Sequence, residues 1–174
     1  MTIHFGDSTS IATATGLGAK LVNVAQTFKT DHFSASQSHS GFGNNCIELV
    51  YAASSSSNRL LVWANLCIGY QHGQSVIMRF SISGSDVTGT VADADGSRLR
   101  GTAASWLNSQ YQISNMTANF IKTSPSTSNV TYGCQLAHTD NATQTVYLNR
   151  SSNNSNQTWR PMGTSSLTII EYVP

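Results

Sequence analysis

Residues 59–70 read RLLVWANLCIGY, and this run constrains the fold more than any other part of the chain. In an extended chain successive side chains point to opposite sides. Leu60, Val62, Ala64, Leu66, Ile68 and Tyr70 therefore share one face, and Leu61, Trp63, Asn65, Cys67 and Gly69 share the other. Both faces are mostly apolar, so both need covering, which is the condition of a strand in the middle of a sheet. SSSSN at 54–58 supplies a turn in front of it.

Further short apolar or alternating runs recur between clusters of turn-forming residues. They predict strands at Lys20–Phe28, Cys46–Tyr51, Val76–Ser83, Arg98–Ala104, Ile113–Lys122, Thr131–His138, Gln144–Asn149 and Ser166–Val173. Apolar residues at helical spacing are always interrupted by Gly, Thr, Ser or Asn within a turn or two, so helix is at most minor. Gly84–Asp86, DADG at 93–96, Ser124–Ser128 and SSNNSNQ at 151–157 read as loops, and no proline falls inside a predicted strand. The pattern predicts an all-β fold, an antiparallel β-sandwich of jelly-roll type, over residues 19–174. Residues 1–18, rich in Thr, Ser, Ala and Gly, hold too little apolar surface to pack alone and are expected to form an extended anchoring arm. Ile3 and Phe5 would carry the apolar part of that anchor.

Only 10% of the residues are charged, and the net charge is +1. Ser, Thr and Asn, together roughly a third of the chain, must keep the surface wet instead. Such a balance gives no field to draw the chain onto phosphates or anionic lipid, so nucleic acid and membrane are poor partners. The first 18 residues lack the basic start and apolar stretch of an export signal. Cys46, Cys67 and Cys134 sit among apolar residues without CxxC spacing and are expected to be buried free thiols.

Residue patterns for chemistry are sparse, and no catalytic, cofactor-binding or metal-binding residues are assigned. His4, His32, His39, His72 and His138 show no spacing that would put two nitrogens on one metal. Asp93 and Asp95 resemble half of a calcium loop but lack its later ligands, so a turn with Gly96 at positive φ is the expectation. Glycan hydrolysis needs two nearby carboxyl groups. Glu48 and Glu171 are the only glutamates, and Glu171 is expected to serve in a structural hydrogen bond. Trp106, Tyr111 and Trp159 stand in polar, loop-like surroundings and are the candidates for contact with a receptor or sugar ring.

Three stretches carry a family resemblance: IHFGDSTSIATATGLG near the start, LVNVAQTFKTDHFS at 21–34, and VYLNRSSNNSNQTWRPMGTSSLTIIEY at 146–172. In this order they resemble short virion proteins and fibre-tip modules of marine tailed phages, cyanophages especially, which are similar to the trimeric jelly rolls of the complement C1q and tumour necrosis factor class. The paired elements are Val24–Ser34 and Ser166–Glu171. The chain departs from the common pattern at Asn23, Ala25 and the polar stretch Ala103–Ser114. The resemblance implies a homotrimer whose terminal strands lie side by side near the three-fold axis, with Phe28, Phe33 and Ile169 as interface residues. It implies a non-enzymatic virion protein, made in the host cytoplasm and displayed on the particle surface as a capsid decoration, knob or head fibre beside other phage proteins. The alternative is a tail-fibre tip recognising a host surface glycan or protein. The brevity of the chain, without coiled-coil or collagen-like repeats, favours the first.

Overall fold

The structure, a computed structural model, describes residues 20–71 and 73–174, together with the short stretches Ile3–His4 (β1) and Ser10–Ile11 (β2). His72 and most of the expected arm, Phe5 included, lie outside the described residues. Within the arm, β1 and β2 pair antiparallel with each other, Ile3 opposite Ile11.

One large sheet is built on β6 (Arg59–Gly69). β10 (Ile113–Thr123) pairs with β6 along its whole length. The other edge of β6 is divided between β13 (Ser165–Val173), which takes Arg59–Asn65, and β12 (Gln144–Leu148), which takes Ile68 and Gly69. Outside these lie β3 (Lys20–Lys29) against β13 and β4 (Phe33–Gln37) against β12. In the second sheet β11 (Val130–His138) runs between β5 (Asn45–Tyr51) and β7 (Gln74–Ile82). The far edge of β7 carries β8 (Ser85–Asp86) and β9 (Ala103–Leu107). Every pairing is antiparallel, no helix occurs among the described residues, and the two sheets form the expected jelly-roll sandwich.

The core is the set of inward residues that the two-residue period selects. Leu60, Val62, Ala64, Leu66 and Ile68 of β6 face Met78 and Phe80 of β7 and Tyr132, Cys134 and Leu136 of β11, all of them buried. Phe80 and Phe120 meet edge to face at 4.7 Å. Burying one such side chain contributes about 1.5–3 kcal/mol. The strand expected at Arg98–Ala104 is displaced to β9: Thr102 donates its N–H to the Met78 carbonyl, and Leu107 turns into the core. Just before β9, Gly101 comes so close to β7 that a Cβ there would lie 2.2 Å from Cγ2 of Ile77. β4 escapes the sequence reading because its inward residues are Phe33, Ala35 and Gln37, of which only the first is large and apolar.

Cys46, Cys67 and Cys134 are free and buried. Burial pushes the Cys46 thiol up to about 12 and that of Cys134 well above its ordinary range. A thiol reacts as its thiolate. The native protein is therefore expected not to react with Ellman's reagent at pH 8, whereas all three thiols react in denaturant. A thiol titrating within minutes in the native state would contradict this packing.

Candidate functional site

The outward face of β6 is covered over only half its length. At the Cys67–Gly69 end the segment after β12 closes over it: Gly163 lies against Cys67, and a Cβ on Gly69 would sit 2.1 Å from the Arg150 carbonyl oxygen. Glycine is required at both places by this close approach. At the other end Leu61, Trp63 and Asn65 have no cover from the described chain, although the strand is apolar on both sides.

Register extends this open half into a face four strands wide. Val24, Ile170, Leu61 and Ile121 form one aliphatic row across β3, β13, β6 and β10. The next row is Gln26, Thr168, Trp63 and Asn119, and beyond it come Phe28, Ser166, Asn65 and Thr117. The row on the opposite side, Leu21, Tyr172, Arg59 and Thr123, holds the one charge of these four rows. Gln26 donates to Thr168 and Thr117 to Asn65, so the polar side chains of the face bond one another. With strands about 4.8 Å apart and about 3.3 Å per residue, the face covers roughly 450 Å². Half of its side chains are polar, but fifteen of the sixteen are uncharged, and depletion of charge is what marks the centre of an interface.

Of the expected interface residues, Phe28 lies on this face and is 63% exposed. Phe33 packs partly into the core from β4. Ile169 is corrected: it is fully buried, because its neighbour Ile170 takes the outward position on β13. Leu61, Trp63, Ile121 and Ile170 were legible as one face of their strands but needed the register to be brought together. Ile3 belongs to β1.

A second surface lies at the Gly69 end of the sandwich. There the turn between β9 and β10 meets the segment between β12 and β13: Asn153 N–H and the Ser152 hydroxyl both donate to the Gln110 carbonyl. Tyr111 and Trp159 meet edge to face at 5.6 Å. The Arg160 guanidinium stands 3.7 Å from the Tyr111 ring centre and 3.6 Å from that of Trp159. Sequence reading named both aromatics and missed the arginine between them. Trp106 is exposed on β9 and donates its indole N–H to Asn108.

Both glutamates accept hydrogen bonds from neighbouring side chains. Glu48 is exposed and accepts from Asn45. Glu171 is 1% exposed and accepts from the Tyr51 hydroxyl, the Ser54 N–H and hydroxyl, and Asn58 Nδ2. Burial alone would raise its pKa, but these bonds from Tyr51, Asn58 and Ser54 outweigh it and hold the carboxyl down at about 2. A group so held stays ionised and has no proton to deliver. Desolvation, reinforced by Glu171, pushes Tyr51 up to about 12.

Among the described residues the histidines are dispersed. His138 is buried, stacked on Tyr70 at 5.6 Å and bonded to the Gln37 carbonyl, while His39 bonds the Asp140 carbonyl. Asp95 pairs with Arg98, and Gly96 takes φ +58°, the turn expected of DADG.

No family model matches the chain, and no curated protein matches it. Among solved structures, one described as the structure of infectious bursal disease virus, Gx strain, aligns over 87% of this chain at 9% identity with a TM-score of 0.38. The aligned region spans 40% of that chain.

Proposed function

We propose that the chain is a non-enzymatic structural module displayed on the surface of a tailed-bacteriophage particle, as a capsid decoration, knob or head fibre, and that it assembles as a homotrimer. The observation that carries the assembly is the open, nearly uncharged face of β3, β13, β6 and β10. Copies meeting there bring no repulsion between like charges into contact, and they cover the half of β6 that the described residues leave bare. The placement on a phage particle is supported by the paired stretches Val24–Ser34, which runs from β3 into the start of β4, and Ser166–Glu171 on β13, which pairs with β3.

Sedimentation equilibrium is expected to give three times 18.6 kDa. Ile121→Asp combined with Val24→Asp, which sets charge at two exposed positions of the aliphatic row, is expected to give a folded monomer whose melting temperature is lower than that of the trimer and no longer depends on concentration. A wild-type protein that stays monomeric over a roughly hundredfold range of concentration would count against the trimer. An antibody to residues 20–174 is expected to decorate intact particles, and particles that remain bare would sink the display reading.

A further inference from the structure

The second surface is built as a ligand site. Trp159 is 59% exposed, at the end of a loop made mostly of Ser, Asn and Gln. Arg160 stacks on both aromatic rings, donates Nε–H to Ser155, and holds Nη1 buried with no hydrogen-bond partner among the described residues. Beside it lies a pocket of about 260 Å³ lined by Arg150, Arg160, His32 and a run of Asn, Ser and Gln side chains, with no carboxylate in the lining. Unpaired guanidinium hydrogens next to neutral amides match a carboxylate set among hydroxyl groups. An exposed indole face matches the apolar side of a pyranose.

The location fits an outward-facing role. Lys20, where the described sandwich begins, and Val173 pair with each other at the Arg59 end of β6, whereas Tyr111 and Trp159 lie beyond its Gly69 end. Ten residue steps of about 3.3 Å separate the two ends by about 33 Å. A module held by its terminal end would present this surface away from its support.

We propose that the Tyr111–Trp159–Arg160 cluster and its pocket bind an acidic polysaccharide, with a sugar ring stacked on Trp159 and a uronate-type carboxylate bonded by Arg160 and Arg150. The site lies within one chain, so it stands or falls independently of trimer assembly. The probe is a galacturonate oligomer about six sugars long, titrated calorimetrically into the full-length protein beside a malto-oligosaccharide of equal length and a polyglutamate of similar charge. Galacturonate is expected to bind at least tenfold more tightly than either. Trp159→Ala, at an exposed position that the fold tolerates, is expected to weaken it tenfold or more, and Arg160→Gln similarly, while Val50→Ser on the five-stranded sheet leaves it unchanged. Undiminished binding by Trp159→Ala, equal affinity for the neutral sugar or for polyglutamate, or no binding of galacturonate would each overturn the assignment.

Discussion

Replacing Glu171 by glutamine is expected to lower stability at pH 7 by roughly 3 kcal/mol and the melting temperature by about 6–12 °C. The side chain, on β13 of one sheet, receives Tyr51 from β5 of the other and Ser54 and Asn58 from the segment before β6. It therefore ties the two sheets and a loop to one carboxylate. Hydrogen bonds to an ionised acceptor are stronger than neutral ones, and glutamine keeps the shape but loses the charge. The folded-state pKa, about 2, lies below the ordinary 4.5. The contribution of this group is thus fully present above pH 4.5 and is lost as pH falls from 4.5 towards 2. Denaturant titrations should show wild type and Glu171→Gln far apart at neutral pH and converging as the acid limit is approached. Parallel curves across that window would mean that the carboxylate is not what the clamp depends on. Tyr51→Phe, which removes one donor and leaves the other three bonds, is expected to cost less, about 1–2 kcal/mol.

Much of the sandwich was legible because its strands obey a two-residue period strongly enough to survive without context. RLLVWANLCIGY was read as a central strand from its two apolar faces, and it does lie at the centre of the larger sheet. The reading missed the reason its outer face is apolar: half is covered by Arg150 and Gly163 of the same chain, and half is left open by the described residues. Which half is open depends on register, and no local pattern encodes which residues of β3 and β10 stand opposite Leu61. For the same reason Ile169 and Ile170 look equivalent in sequence, although one is core and the other surface. Trp159 and Tyr111 were recognisable as large aromatics stranded in polar loops. Their meeting across 48 residues of chain, and Arg160 stacked on both, arise only when the β9–β10 turn and the β12–β13 segment come together at one end of the sheet.

Asn149 is expected to be as sensitive as Glu171, for reasons of backbone as well as bonding. It follows β12 directly at φ +66°, a conformation in which a side chain beyond glycine costs about 1 kcal/mol, and it is fully buried. Its Nδ2 donates to the carbonyls of Lys29 and Asp31, and its Oδ1 accepts from Ser165, whose oxygen in turn accepts the Cys67 N–H. One amide thus holds the β3–β4 link, the start of β13 and β6 at the Gly69 end, opposite the end that Glu171 ties. Both polar roles are needed, two donors on one side and an acceptor on the other, and of the common side chains this short only asparagine offers them. Asn149→Asp keeps the acceptor and turns the donors into an anion facing two carbonyl oxygens, so it is expected to be the worst variant, with a loss above about 4 kcal/mol. Asn149→Ala loses the bonds and keeps the backbone strain, about 3–5 kcal/mol. Asn149→Gly loses the same bonds but relieves the strain, so it is expected to be more stable than the alanine variant by about 1 kcal/mol, the reverse of their usual order within a strand. Chemical denaturation of the three variants tests the ranking. An alanine variant at least as stable as the glycine variant would show that the positive φ is not maintained, and an aspartate variant near wild type would show that the Lys29 and Asp31 carbonyls do not depend on this amide.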